Sequence, residues 1–599
     1  MPSLGQKNEA LQVYSQRCCP TTFFNIPISQ SSSHQTTAII KPRNSTTSEC
    51  RHNFAATTAS SIFPNTQFTN HESLPSLHES FTEFIKVYPQ YSHTEEQVDR
   101  LRAKEYYHLS VSNHTCLDYI GIGLFSYYQL QRHDTSKTQL ASSSSSIVTP
   151  TQSQYSHVPF FSISYKTGNL KTLLIHGGQE SEFESAMRKK IMGFLNVSDK
   201  DYFMVFTANR TSAFKLVAES YPFESSPKLL TVYDYESEAV ETMISCSERR
   251  GAKAVSAEFS WPRLRIQTTK LRNMIEGSKG KNKSKKKTKG LFVFPLHSRV
   301  TGARYPYLWM SVAQENGWHV LIDACALGPK DMDSFGLSLF RPDFLICSFY
   351  KVFGENPSGF GCLFVKKSAI SVLEASSSCA GIVNLVPERR LFQLPETLER
   401  KKAPDGKNGS LDIECRCLDQ VDSLGLTMIT NRGRYLINWL VNSLLKLKHP
   451  NTEEGVPLIK IYGPTIRFDR GPALAFNVFD WKRAKVEPVL VQKLADRNNI
   501  SLSYGFLHHL WFAEKYAEEK VRVLQSKEGG GGGKGGVMVN KKKDREKLGI
   551  TVVTAALGFL ANFEDVYKLW AFVARFLDAD FVEKERWRYT ALNQKTIEI

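Results

Sequence analysis

From about residue 160 onward, short apolar runs alternate with amphipathic segments along the chain. The runs are continuously hydrophobic, which is typical of strands that are buried on both faces of a sheet. Seven of them predict strands, at residues 203–207, 229–233, 252–257, 291–295, 319–323, 344–348 and 361–365. Segments between them, such as 212–220 and 307–316, have helical periodicity. This pattern predicts an α/β fold with a mostly parallel, seven-stranded sheet and helical crossovers.

After about residue 405 the hydrophobic pattern becomes mixed. It predicts helices at 430–447, 489–497 and 564–577 and strands at 474–479, 500–504 and 550–556. We interpret this part of the chain as a smaller α+β domain that follows the large one.

The composition divides the 599 residues further. Residues 1–75 are rich in Ser, Thr, Asn and Gln and predict a disordered tail, with a plastid or mitochondrial targeting segment as the alternative. We expect residues 76–155 to form an N-terminal segment of the small domain, with a Ser-rich loop. Residues 156–405 are assigned to the large domain and 406–599 to the small C-terminal domain.

The formal net charge of +17 first suggests a nucleic-acid partner, but much of it is local. Seven lysines lie in the stretch 278–289, and a Gly- and Lys-rich insertion spans 527–547. Neither stretch has apolar periodicity, so we interpret both as solvated loops and consider nucleic-acid binding the weaker alternative.

The eleven cysteines are scattered and contain no C-x-x-C pair, which argues against a zinc ribbon and against any metal site of that kind. This dispersed pattern favours reduced thiols in an intracellular protein, in the cytoplasm or, alternatively, a plastid. The longest apolar stretch, 550–561, is too short to cross a bilayer, so we expect a soluble protein without a membrane span.

Polar residues at the predicted strand ends indicate where a ligand binds, because open α/β sheets bind ligands at their carboxyl edge. Asp323 ends a very apolar strand, where a carboxylate is costly unless it is paired. Lys351 follows another buried strand, with Ser348 three residues before it, and apolar surroundings would make its amine nucleophilic. Tyr235 leaves a third strand, and its ring is suited to stacking.

A fourth strand end reads FTANRTSAF, residues 206–214. The strand turns there into a predicted helix, and the free N–H groups of a helix start bind phosphate well. Three of these four sites also have a structural explanation: an N-capping threonine at the helix start, an aspartate that caps a turn, and a solvated lysine at a strand end.

Together these segments resemble a known family. The stretch DACALGPKDMDSFGLSLFRPDFLICSFYKVFG, residues 323–354, is similar to the pyridoxal 5′-phosphate (PLP) site of the class V aminotransferase and cysteine desulfurase family. The resemblance is greatest to the plant branch of the molybdenum cofactor sulfurase-like proteins. The stretches 115–127 and 294–310 fit that branch as well, and the resemblance covers roughly residues 80–580. It implies the PLP-dependent transferase fold, similar to aspartate aminotransferase, with PLP as the cofactor.

The resemblance also implies residue roles. Lys351 matches the lysine that forms the internal aldimine with PLP, and Asp323 the partner of the pyridine nitrogen. Arg210 and Thr211 fall on the phosphate-binding turn, and Ser348 on a phosphate contact.

Other positions depart from the family pattern in their residue type. Tyr235 stands where most members have a ring-stacking histidine. Ala326 stands where many desulfurases have a glutamine, and Arg299 where they have an asparagine near the substrate.

Two departures concern the sulfur chemistry itself. Family desulfurases carry a cysteine on a mobile C-terminal loop, but the comparable stretch 501–512 has none, and no cysteine follows Cys417. The arginine that binds the substrate carboxylate in the last strand is replaced by Thr554. A persulfide relay is therefore disfavoured.

Three hypotheses remain open. The chain is a PLP-dependent transferase or lyase that acts on an unidentified amine or amino acid; alternatively, it is a pseudoenzyme that keeps the fold and binds without turnover. The third hypothesis, a true cysteine desulfurase or molybdenum cofactor sulfurase, is disfavoured by the missing cysteine. The family implies a homodimer, and the sequence leaves open whether the protein is catalytically active.

Overall fold

The computed structural model describes residues 61–118, 121–131, 161–178, 180–277, 290–326, 328, 340–350, 359–374, 381–387, 413–450, 455–464, 470–526 and 548–595. Contacts divide the chain into Met1–Ser61 and Ile62–Ile599, and the fold described below is that of the second unit. Outside the described residues lie Lys351, nearly all of the predicted N-terminal tail, the Ser-rich loop and the stretches 278–289 and 527–547.

Strands and helices are numbered here along the described chain. The strands are β1 (Thr115–Cys116), β2 (Ile122–Gly123), β3 (Phe161–Tyr165), β4 (Tyr202–Thr207), β5 (Lys228–Thr231), β6 (Lys253–Ser256), β7 (Phe259–Ser260), β8 (Arg265–Ile266), β9 (Gly290–Pro295), β10 (Trp318–Asp323), β11 (Phe344–Tyr350), β12 (Gly359–Lys366), β13 (Val383–Pro387), β14 (Ile459–Tyr462), β15 (Ala473–Val478), β16 (Ile500–Ser501), β17 (Ser503–Leu507), β18 (Leu510–Trp511), β19 (Gln525–Ser526) and β20 (Leu548–Ala556). The α-helices are α1 (Leu77–Val87), α2 (Tyr91–Glu105), α3 (His108–Val111), α4 (Leu170–His176), α5 (Glu182–Phe194), α6 (Arg210–Ser220), α7 (Glu238–Arg249), α8 (Thr268–Glu276), α9 (Leu308–Glu315), α10 (Arg416–Leu445), α11 (Pro488–Arg497), α12 (Ala517–Val523), α13 (Phe563–Ala574) and α14 (Ala579–Lys595).

The central sheet contains all seven strands that the hydrophobic runs predict. Its order is β4–β12–β11–β10–β9–β5–β6, and the short β2 pairs with β11 beside this path. Only β12 runs antiparallel to its neighbours along this path. Every residue of β9 is buried, as the continuous hydrophobicity of the run requires. The predicted α/β class with a mostly parallel sheet is thus confirmed.

A second, antiparallel sheet lies in the C-terminal part of the chain, with the order β14–β15–β20–β17 and β19 paired to β20. Its core is rich in aromatic rings from α1, α10 and α13: the ring centroids of Phe84 and Phe563 are 4.6 Å apart, and those of Trp439 and Phe563 are 4.7 Å apart. Helix α1 comes from the segment 76–155 and packs into this core, as a small-domain assignment of that segment requires. The exact domain boundaries stay a prediction.

Two predicted elements of this part differ from the structure. The strand expected at 500–504 is divided, because β16 pairs with β1 while β17 pairs with β20, and the buried Leu502 lies at the change of partner. Helix α10 begins at Arg416 rather than at residue 430 and is interrupted at Gly425, whose φ of 78° favours glycine.

No helix in the described ranges is both long enough and apolar enough to traverse a bilayer.

Candidate functional site

Asp323 is the last residue of β10 and is 3% exposed. Its Oδ2 accepts hydrogen bonds from the Arg210 guanidinium at 2.5 Å and from the Tyr233 hydroxyl at 3.0 Å. Its Oδ1 accepts from the backbone N–H of Cys325 at 3.1 Å. Burial alone would raise the pKa of Asp323, but the charge of Arg210 and the hydrogen bonds from Arg210, the Cys325 N–H and Tyr233 outweigh it and hold the pKa below its ordinary value. The carboxylate is therefore ionised at neutral pH.

Arg210 is the first residue of α6, and its side chain extends to the end of β10 rather than into solvent. A second hydrogen bond, 2.9 Å long, joins its guanidinium to the Ser237 hydroxyl. Burial opposes the charge of Arg210, but Asp323 keeps its pKa above the ordinary value, so both partners are ionised. Sequence reasoning assigned Arg210 to the phosphate turn and missed its contact with Asp323. The turn connecting β4 to α6 is the local feature that brings the two residues together.

Two tyrosines complete the wall around this ion pair. Tyr233 donates to Asp323, and its ring lies edge-on to that of Tyr235, with centroids 5.7 Å apart. Both rings are buried, and burial raises the pKa of both hydroxyls, so they stay protonated. Tyr235 is the predicted stacking residue, whereas Tyr233 was not singled out by the sequence, although it lies in the same YDYES segment.

The turn before α6 has the form of an anion-binding turn. The Asn209 side chain accepts a hydrogen bond from the Ser212 N–H at 2.8 Å. The remaining first-turn N–H groups have no partner within a helix, so those of Arg210 and Thr211 suit a phosphate. The turn is tightly enclosed: a Cβ on Gly361 would lie 2.6 Å from the Thr207 hydroxyl, and Gly361 is therefore required there.

Ser348 lies in β11 and is 8% exposed, next to β10 in the sheet. Its hydroxyl adjoins the thiol of Cys325 and lowers the pKa of that thiol, but burial has the larger effect and raises the pKa well above the ordinary value. Burial likewise raises the pKa of Cys347, which faces Cys362 across β11 and β12. The thiols of Cys325 and Cys347 are thus protonated, which supports the interpretation as packed core residues and argues against a substitute sulfur acceptor.

The other predicted positions have different environments. Arg299 is exposed in the loop after β9, and its charge lowers the pKa of Tyr235 slightly against the effect of burial, which places the two near one another. Ala326 is buried just beyond Asp323. Thr554 is buried in β20, opposite Ser503 of β17. Lys351, the central predicted residue, lies outside the described residues.

The stretch 501–512, where the resemblance implies the mobile loop of desulfurases, contains residues of three strands, β16, β17 and β18. β17 pairs with β20, and β18 pairs with β7. The Glu236 N–H donates to the Phe506 carbonyl at 2.8 Å, so β17 adjoins the loop that carries Tyr235. This stretch therefore lies beside the segment that carries Tyr235, and it contains no cysteine.

The donor and acceptor set fits PLP. A carboxylate accepts about four hydrogen bonds, and Asp323 receives three from the described residues, which leaves one position for a ring nitrogen. The start of α6 and Ser348 offer donors for the phosphate. The position of Arg210 departs from what the resemblance implies, because its guanidinium already supplies the positive charge that the buried carboxylate needs.

A mostly parallel α/β sheet with an ionised aspartate buried at its carboxyl edge is the arrangement that the resemblance to class V aminotransferases and cysteine desulfurases implies. No protein-family model matches the chain. The solved apo cysteine desulfurase of Thermococcus onnurineus NA1 is 15% identical with a TM-score of 0.48, covering 81% of this chain and 98% of that chain.

Two curated proteins have a higher sequence identity to this chain. The molybdenum cofactor sulfurase of Homo sapiens is 27% identical over 357 residues, 56% of this chain and 38% of that protein. That of Solanum lycopersicum is 25% identical over 428 residues, 66% of this chain and 50% of that protein. The predicted resemblance to molybdenum cofactor sulfurases is thus confirmed, and this similarity supports PLP as the cofactor. The chain spans half or less of the length of these two relatives, and assignment to the plant branch stays a prediction.

Proposed function

We propose that this chain binds PLP at the carboxyl edge of its central sheet, attached to Lys351, and acts on an amine or amino acid. The observation that carries the proposal is the buried, ionised Asp323 at the end of β10. A buried carboxylate is costly unless it is paired, and the pairing of Asp323 with Arg210, Tyr233 and the Cys325 N–H leaves one acceptor position that a ring nitrogen would occupy. The neighbouring donors of α6 and β11 suit the phosphate of the same cofactor.

Each residue of the site would have its own role in binding PLP or moving protons. Asp323 would hold a proton on the ring nitrogen, and the Tyr233 hydroxyl fixes the carboxylate in position. Thr211 and Ser348 would hold the phosphate, and Tyr235 would cover a face of the ring. When bound, PLP supplies an electron-withdrawing ring that stabilises negative charge on the substrate. Lys351 would move protons at its Nζ once the substrate is bound.

Arg210 changes the expected strength of this chemistry. Its guanidinium shares the carboxylate of Asp323 at 2.5 Å, so less negative charge remains to stabilise a protonated ring nitrogen. The same pairing favours a second candidate function, a pseudoenzyme in which Arg210 neutralises Asp323 and the protein binds without turnover.

The third candidate, a true cysteine desulfurase or molybdenum cofactor sulfurase, is disfavoured. The stretch 501–512 lacks the cysteine, and the buried thiols near the site are protonated. We further propose a homodimer and a small-molecule substrate, on the resemblance alone.

Turnover is tested on the purified full chain loaded with PLP. Individual amino acids, cysteine among them, are added while the visible spectrum, sulfide and keto-acid products are followed, with Lys351→Ala as the control. Spectral change and product that require Lys351 support an enzyme, and sulfide from cysteine would favour the desulfurase. Bound PLP that no amino acid alters would overturn the enzyme and leave the pseudoenzyme.

A further inference from the structure

Asp234 is a fully buried residue that lies between Tyr233 and Tyr235 in the sequence. Its Oδ1 accepts a hydrogen bond from the Ser298 hydroxyl at 2.7 Å, and its Oδ2 accepts one from the Thr301 hydroxyl at 2.6 Å. Both hydroxyls belong to one turn in the loop after β9. A single carboxyl group therefore connects two points of that turn to the segment that carries the site tyrosines.

The turn belongs to the loop 296–305, which leaves the carboxyl end of β9. At the base of the loop, the Leu296 N–H donates a hydrogen bond to the backbone carbonyl of Asp323 at 3.2 Å. Nearer the tip, the Ser298 N–H donates to the Ala303 carbonyl at 2.8 Å and closes the turn. The loop therefore lies at the sheet edge where Asp323 is expected to hold the ring nitrogen.

The turn presents one exposed charged side chain beside the site. Val300 and Thr301 are buried, whereas Arg299 is exposed. A Cβ on Gly505 of β17 would lie 2.8 Å from Cγ2 of Val300, so the turn packs closely against that strand. Burial raises the pKa of Tyr235, and the charge of Arg299 acts in the opposite direction, so the two side chains lie within electrostatic range.

The backbone around Asp234 is also joined to a third segment. The His508 N–H donates to the Asp234 carbonyl at 3.1 Å. The Glu236 N–H donates to the Phe506 carbonyl at 2.8 Å, so these two hydrogen bonds flank Tyr235. Asp234 thus lies where the end of β5, the loop after β9 and the end of β17 meet.

The carboxyl group of Asp234 is bound by hydroxyl groups. Burial raises the pKa of Asp234. The neighbouring hydroxyls of Thr301, Ser298 and Tyr305 oppose that rise. Two of these hydroxyls also accept from the turn itself: Ser298 Oγ from the Thr301 N–H at 3.1 Å, and Thr301 Oγ1 from the Ala303 N–H at 3.3 Å. Loss of the carboxyl group would therefore release both hydroxyls and the backbone that they hold.

We infer that Asp234 is a positioning residue of the PLP site, which fixes the turn that carries Arg299 against the segment that carries Tyr235. Tyr235 is the side chain proposed to cover a face of the ring, so its place depends on this connection. Where it concerns PLP, the inference rests on the proposed function. The connection itself is present without the cofactor, so it is open to a separate measurement.

Four variants of the full chain separate positioning from stability. Asp234→Ala removes both acceptor oxygens, and Asp234→Asn keeps one of them in a side chain of the same shape. Thr301→Val removes one hydroxyl at the same shape. Asp343→Ala is the matched control, because Asp343 directly precedes β11 and accepts a hydrogen bond from the Val320 N–H at 2.8 Å. Its carboxylate therefore binds backbone near the opposite, amino end of the same sheet.

Hydrogen exchange of the PLP-free proteins, read by mass spectrometry on peptides that cover 296–305, measures how firmly the turn is held. Asp234→Ala should raise exchange there about tenfold, and Asp234→Asn and Thr301→Val by less. Asp343→Ala should leave exchange in these peptides unchanged. Thermal unfolding checks that each variant is folded, and Thr301→Val carries the test if Asp234→Ala is not. Exchange that stays as in the wild type would overturn the inference.

PLP binding to the same proteins measures the effect on the site. Asp234→Ala should weaken PLP binding about tenfold and lower the circular dichroism of the visible cofactor band per bound PLP. Asp234→Asn should restore most of both, and Asp343→Ala should alter neither. Faster exchange with unchanged affinity and dichroism would make Asp234 a purely structural residue and overturn the inference. A wild type that binds no PLP would refute the proposed function, and exchange alone would then decide whether Asp234 fixes the turn.

Discussion

The carboxylate of Asp323 and the guanidinium of Arg210 lie 2.5 Å apart, at the carboxyl end of β10 and the first residue of α6. The aspartate is the residue expected to hold the cofactor's ring nitrogen, and the arginine was expected to bind its phosphate. This ion pair therefore connects the residue predicted to bind the ring nitrogen with the residue predicted to bind the phosphate. It also makes the role of Arg210 open to experiment.

Removing Arg210 distinguishes two roles. If Arg210 shares Asp323 with the ring nitrogen, Arg210→Met should strengthen PLP binding about tenfold, because the ring becomes the only cation for a buried carboxylate. A phosphate-binding Arg210 predicts weaker binding instead. Titration of the PLP-free protein by tryptophan fluorescence measures the affinity, with Arg272→Met, at an exposed position on α8, as the control.

The ion pair should also be costly to break on one side. Asp323→Asn leaves a buried guanidinium without its anion and should lower the free energy of unfolding by about 3–5 kcal/mol. The exposed pair of Arg100 with Glu96 is the comparison, and Arg100→Met should cost no more than about 0.5 kcal/mol. Urea unfolding measures the loss of unfolding free energy in each variant. Equal losses would mean that the buried pair contributes no more to stability than the exposed pair.

The contribution of Asp323 to stability should depend on pH in the opposite sense when Arg210 is replaced by methionine. In the wild type the folded pKa of Asp323 lies below its ordinary 3.8, so its contribution is present above that pH and is lost as pH falls through the folded pKa. In Arg210→Met, burial dominates and raises the folded pKa above 3.8. The contribution of Asp323 is then greatest at low pH and is lost as pH rises through the folded pKa.

This reversal is measured as the difference in unfolding free energy between variant and wild type from pH 3 to pH 6. The difference should grow with pH. A constant difference would show that Asp323 titrates alike in both proteins and that Arg210 does not set its pKa.

The buried thiols should be unreactive in the folded protein. Cys325, Cys347 and Cys362 are each at most 5% exposed, and an inaccessible thiol alkylates slowly. Iodoacetamide labelling followed by peptide mass spectrometry should detect these cysteines only after unfolding. Rapid labelling of Cys325 in the folded protein would restore it as a candidate sulfur acceptor.

The large sheet was predictable because its strands are buried on both faces, and burial imposes continuous apolar runs such as 291–295. The change of paired strand at Leu502 could not be predicted, since an apolar run does not reveal which strand it pairs with. Asp323 was recognisable as a polar residue that ends such a run. The contacts of Asp323 with Arg210 and Tyr233 could not be predicted, because these two residues lie 113 and 90 residues away along the chain.

The most direct test is the visible absorbance spectrum of the purified full chain after incubation with PLP and removal of the excess, with Lys351→Ala measured beside it. The account predicts an absorption band of lysine-bound cofactor in the wild type and none in the variant. A wild type that retains no PLP, or a variant with the same band, would contradict the assignment of this sheet edge as a PLP site.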